Sequence, residues 1–256
     1  MRSRWVLGAA SILLLLALAW AVHGAMARRQ AEALVRADPE TILSVPPLRD
    51  TAMRLGHGVF ESHCAACHGP AGRGDRAKGA PDLADGDWLY GQGQVEEIEQ
   101  TVLHGIRSGD ARGWSLAYMP AYARARPYGP EAIAPLRPAE IQHVAAYLRS
   151  LHDDAGVDPA AVARGKAIYA GKGGCWDCHG GDASGDSAIG APNLVDDVWL
   201  YGDGSQAAIA QSVAYGRFGR MPAFARTLTP MEARAVAAYV ASLSQQKRDE
   251  RTNGAD

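Results

Sequence analysis

Hydrophobic and polar positions divide this chain into one apolar run and two similar stretches of helical pattern. Trp5 to Val22 is an uncharged run of 18 residues, mostly Leu and Ala, behind Arg2 and Arg4. That length lies at the lower end of what crosses a bilayer as a helix, and it exceeds the usual apolar core of a signal peptide. Basic residues ahead of the run predict an N-terminus in the cytoplasm and a body outside. Ala25-Met26-Ala27 keeps a cleaved signal peptide open as the alternative. The charged residues after it predict a helical stalk over 27–37, and Pro46-Pro47 should halt any helix. Residues 1–27 are therefore read as an anchor or signal peptide, and 28–50 as a linker that holds the body off the membrane.

Beyond residue 50 the pattern repeats, which fixes the organisation better than any single element. Each copy opens on a helix with Gly-x-x-x-aromatic, Gly56 with Phe60 and Gly165 with Tyr169. Each then carries Cys-x-x-Cys-His, followed by Gly79-Ala80-Pro81-Asp82-Leu83 or Gly190-Ala191-Pro192-Asn193-Leu194. Trp88-Leu89-Tyr90-Gly91 or Trp199-Leu200-Tyr201-Gly202 comes next. The distance from the first cysteine to the tryptophan is 24 residues in both copies, so they are in register without a gap. Met119-Pro120-Ala121-Tyr122 matches Met221-Pro222-Ala223-Phe224, and each copy closes on a helix with Pro138 or Pro230 in its first turn. The expected packing sets each opening helix against the closing helix of its own copy, Gly56 against Tyr147 and Gly165 against Tyr239. The fold expected is all-α, an N-terminal transmembrane helix followed by two tandem domains, 51–152 and 153–246, with a polar tail over 247–256.

The chemistry lies in Cys64-Ala65-Ala66-Cys67-His68 and Cys175-Trp176-Asp177-Cys178-His179. On one helical turn these positions share a face, so two thiols can bond a porphyrin's vinyl groups while the histidine reaches its iron. All four cysteines of the chain are used, and none remains for a disulfide. Cysteine pairs that share a zinc usually lie roughly 15–20 residues apart, whereas Cys67 and Cys175 are 108 apart. A thioredoxin-like pair would want a preceding strand, and the flanks read as helix and glycine loop. Two covalently bound haems c remain, with Cys64, Cys67, Cys175 and Cys178 as thioethers and His68 and His179 as axial ligands.

Equivalent placement in the repeat singles out Met119 for the first iron and Met221 for the second. A thioether ligand raises the reduction potential and closes the iron to small ligands. Met53 and Met231 read as packing. His104, the rival sixth ligand in the first copy, faces Tyr215 at the matching position of the second and reads as structural. His57, His63, His143 and His152 have no counterparts and read as surface or packing residues. Arg107, Arg217, Trp88, Tyr90, Trp199 and Tyr201 are candidates to bond the haem propionates.

The first copy has about 9 extra residues between His104 and Met119, and a second insertion of about 10 around Pro127 to Pro135. Both predict a more covered methionine side for the first haem. A net charge of -2 gives no sign of nucleic-acid binding.

From about Gly56 to Leu243 the chain resembles the dihaem cytochrome c subunit (subunit III) of cbb3-type cytochrome c oxidases. The paired motifs, the two Trp-Leu-Tyr-Gly stretches, His104-Gly105-Ile106-Arg107 and the unequal routes to Met119 and Met221 carry the resemblance. It implies two class I cytochrome c domains held by one anchor at a bacterial inner membrane, with the haem domains in the periplasm. It also implies a non-catalytic subunit that takes electrons from a periplasmic donor, a small cytochrome c or a quinol-oxidising complex, and passes them to haem–copper oxidase subunits. A dihaem carrier of another respiratory or dehydrogenase chain is the alternative, and a dihaem peroxidase, which needs an open iron position, is third.

Overall fold

A computed structural model describes residues 2–124, 134–152 and 156–253, with side chains over 14–124, 134–152 and 156–245. Among the described residues there are helices, turns and isolated bridges, and no strands. The helices are α1 Arg2–Arg36, α2 Pro46–His63, α3 Ala65–His68, α4 Val95–His104, α5 Pro138–Ser150, α6 Pro159–Ala170, α7 Trp176–His179, α8 Gln206–Tyr215 and α9 Pro230–Asn253. A short 3₁₀ turn lies at Pro39–Thr41.

Local chemistry sets the helix ends. Proline occupies the first turn of α2, α5 and α6, where its missing N–H costs nothing. Pro46-Pro47 therefore starts a helix, and does not merely interrupt one. Asp158 caps α6 through the N–H groups of Ala160 and Ala161, Ser205 caps α8 through Ala208, and Glu97 accepts from the N–H of Gln94 at the start of α4. Gly105 and Gly216, at φ 71° and 69°, end α4 and α8 in the left-handed region that suits glycine.

The helices form two cores, and each takes its closing helix from the other repeat. α2 and α4 pack on α9, while α6 and α8 pack on α5. A Cβ on Gly56 would meet the Ala235 carbonyl and lie 2.7 Å from Tyr239 Cβ; one on Gly165 would meet the His143 carbonyl and lie 2.8 Å from Tyr147 Cβ. The expected pairing of opening and closing helices within a repeat is thus corrected. The stretches 51–152 and 153–246 each contribute helices to both cores.

The exchange also satisfies the helix ends. The last carbonyls of a helix lack partners within it. Past Met221, the N–H groups of Phe224 and Ala225 donate to Val102 and Leu103 of α4. Past Met119, those of Tyr122 and Ala123 donate to Val213 and Ala214 of α8.

The stretch read as a linker, 28–50, packs on the first core. Leu34 and Ile42 are fully buried in the core of α2, α4 and α9. Arg234 of α9 pairs with Glu99 of α4 and donates to the Ala37 carbonyl, which ties the end of α1 to that core. α9 continues through most of the expected polar tail. The insertion around Pro127 to Pro135 lies largely outside the described residues. α1 includes Trp5 to Val22, but side chains before Leu14 also lie outside them, and among the described residues no helix is long and apolar enough to cross a membrane.

Candidate haem sites

Each Cys-x-x-Cys-His stretch forms one helical turn, α3 or α7, directly after its opening helix. None of the four cysteines is in a disulfide, and they are half-buried or exposed. Burial pushes the Cys64 and Cys175 thiols up to about 11, so both stay protonated at neutral pH.

The histidines are oriented from behind. His68 Nδ1 lies 3.1 Å from the Pro81 carbonyl and His179 Nδ1 lies 3.0 Å from that of Pro192. A carbonyl only accepts, so Nδ1 carries the proton in each ring and Nε2 keeps its lone pair. Burial lowers both imidazoles below the ordinary histidine value, more than the carbonyl contact raises them, which favours the neutral form a metal needs. These proline carbonyls are functional groups that the sequence reading missed. Their signal was the Gly-Ala-Pro-Asp/Asn-Leu stretch, in register in both copies.

The methionines are exchanged along with the helices. Met221 packs in the core that holds Cys64, Leu83 and Trp88, and Met119 in the core that holds Cys175, Leu194 and Trp199. Ile106 exchanges both backbone bonds with Met221, and Arg217 both with Met119. Tyr122, three residues past Met119, donates to the Gly173 carbonyl just before the second motif. The structure therefore does not bring Met119 to the His68 motif or Met221 to the His179 motif.

His104 is buried with Nδ1 3.2 Å from Asp110. His57 and His63 meet the rings of Tyr239 and Phe224 edge-on, His143 meets Arg164, and His152 bonds Asp197 and the Leu194 carbonyl. Arg217 donates to Ser212 with its guanidinium 4.1 Å above the Tyr201 ring. Tyr90 and Tyr201 each press against the other repeat's Gly-Ala-Pro stretch, at Gly190 and Gly79.

A covalent porphyrin suits this construction. Thiols, a free imidazole Nε2 and a thioether converge on each core, and Trp88 Nε1 is a buried donor without a partner, as a site for a carboxylate-bearing group would leave it.

Residues 53–152 match the family described as cytochrome c, and 160–240 match cytochrome c oxidase, cbb3-type, subunit III. A cbb3-type cytochrome c oxidase subunit FixP of a Bradyrhizobium strain is 41% identical over 217 residues, which cover 82% of this chain and 68% of the relative. The chain belongs to the FixP/CcoP family of cbb3-type cytochrome c oxidase subunits. A CcoP from Cereibacter sphaeroides is 37% identical over 88% of this chain and 71% of its own. FixP of Azorhizobium caulinodans is 40% identical over 80% of this chain, and the match spans 64% of that relative's length. With two cytochrome c domains, this FixP/CcoP chain carries two covalently bound haems c.

Proposed function

We propose that this FixP/CcoP chain is an electron-transfer subunit of a cbb3-type cytochrome oxidase, with two haems in crossed ligation. One is attached through Cys64 and Cys67, with His68 and Met221 on its iron; the other through Cys175 and Cys178, with His179 and Met119. The observation that carries this reading is the packing of each methionine loop into the core of the other repeat's Cys-x-x-Cys-His turn.

Bound haem supplies a one-electron iron couple. The protein's part would be to hold each haem through a histidine and a methionine and to exclude water. His68 and His179 are fixed by proline carbonyls. The methionine loops are fixed by the Ile106 and Arg217 backbones, so Met221 and Met119 would hold the haems and leave no place for an exogenous ligand, which suits a carrier and not a peroxidase. Trp88 Nε1 is the candidate propionate donor. No bond is made or broken on the chain; an electron enters one unit, crosses and leaves.

Location follows the same reading. The run Trp5 to Val22 is the single anchor in a bacterial inner membrane, and the haem units stand in the periplasm between a soluble cytochrome or quinol-oxidising donor and the haem–copper subunits. The buried Leu34 and Ile42 and the Arg234 contacts make α1 an extension of the first core, in support of a fixed stance above the membrane.

The test is purification of a tagged chain from detergent-solubilised membranes. A haem–copper subunit and oxygen uptake should co-purify with it. Elution with a dehydrogenase alone, or carbon monoxide binding to the reduced chain at full occupancy, would overturn the assignment.

A further inference from the structure

Arg107 is tied into the fold through its backbone and its side chain together. Its φ of 47° is positive, which side chains other than glycine rarely adopt. Its N–H donates to the Trp114 carbonyl, and its own carbonyl accepts from Arg220 Nε at 3.0 Å, next to Met221. The guanidinium reaches three oxygens: Nε donates to the Gly219 carbonyl, and Nη1 to the Ala117 carbonyl at 2.8 Å and to the Tyr90 hydroxyl at 2.9 Å. Ala117 stands two residues before Met119, and Gly219 two before Met221. A single planar donor fork therefore holds both methionine loops, which ligate different irons.

The second repeat has no second copy of this device. Its matching position is Phe218, whose ring lies 5.5 Å from the Arg107 guanidinium and packs edge-on against Tyr118. Charge-assisted bonds from arginine to carbonyls are directional and stronger than neutral ones. Losing this one side chain frees two loops at once.

We propose that Arg107 is a shared positioning residue that couples methionine ligation at the two haems. This rests on Met119 and Met221 being the ligands, and not on which iron each takes. Loosening one loop weakens the fork's hold on the other, so the two irons gain or lose their sulfur ligands together.

The test uses the full chain with both haems. Reduced protein should show one ring-current-shifted methionine methyl resonance per haem, and ferric protein a sulfur-to-iron charge-transfer band in the far red. In Arg107→Ala the equilibrium for loop closure should shift about tenfold toward loss of methionine at both irons. It is read as an earlier loss of both signals in a denaturant titration, while haem content and helicity at zero denaturant stay normal. Where Arg107→Ala fails to fold, Arg107→Lys keeps the charge without the fork and should give an intermediate loss, again at both irons. Loss at one iron only, or at neither, in the variant that folds would overturn the coupling. Met119→Ala and Met221→Ala must each remove one methyl signal. A variant that leaves both would overturn the ligand assignment and the clamp with it, whereas failure of the arginine variants alone leaves the ligands standing.

Discussion

The unit around Cys64 and the unit around Cys175 share a motif, a carbonyl-held histidine and a borrowed closing helix, yet their surroundings differ. The first is walled by the end of α1, with Leu34 and Ile42 fully buried and Arg234 joining α9 to Glu99 and Ala37. The second has no such wall among the described residues, and its polar tie is Glu140 with Arg137 and Lys172 at the rim. The end of α4 is also covered, as Trp114 donates to Thr101 and stacks on Tyr90, and His104 is 3% exposed. The equivalent Tyr215, which lacks that insertion, is 66% exposed. One repeat unit thus makes a braced site and an open one, according to what is inserted beside it.

The largest expected difference comes from these polar ties. Arg234→Ala leaves Glu99 as a buried charge without its partner and should cost about 3–5 kcal/mol in denaturant unfolding. Lys172→Ala removes a half-exposed partner and should cost little. Equal effects would erase the contrast between the two sites.

Next come the helix crossings. Gly56→Ala and Gly165→Ala each drive a methyl into a facing backbone carbonyl and should cost about 1–3 kcal/mol or more, since backbone yields less than a side chain. Replacing Tyr239 with Gly, which removes the Cβ that the added methyl at Gly56 would meet, should offset the penalty at Gly56 in part and leave that at Gly165 unchanged; double-mutant unfolding checks this. The opposite pattern would mean uncrossed helices.

The smallest effect is in pH. Bonds from Arg137 and Lys172 hold the Glu140 carboxyl down at about 2. A depressed acid stabilises the fold above its unfolded value of about 4.3 and loses that contribution as pH falls toward 2. Wild type should therefore outlast Glu140→Gln at pH 6 and lose its advantage by about pH 2. A gap that persists in acid would rule out the carboxylate as its source.

Much of this was legible in the sequence, namely the haem turns, the register of the copies, the methionine loops and the helix starts at Pro138 and Pro230. Pro46 was misread because proline both stops a helix and suits its first turn, and only the residues on its C-terminal side decide between the two. The exchange was not legible for a deeper reason. In a repeat every contact has two equivalent candidates, and Gly56 accepts Tyr147 or Tyr239 alike. Neither residue type nor spacing separates the two pairings. The choice lies in where the methionine loops can reach, and in the free carbonyls of α4 and α8 that they satisfy. The burial of Leu34 and Ile42 was equally hidden, because the partner surface is the closing helix of the other repeat.

The crossing of the ligands is tested most directly in a chain whose second motif is removed by Cys175→Ser and Cys178→Ser, leaving one haem on Cys64 and Cys67. Adding Met221→Ala should abolish the ferric sulfur-to-iron absorption, while adding Met119→Ala should leave it intact. The reverse outcome would contradict the account.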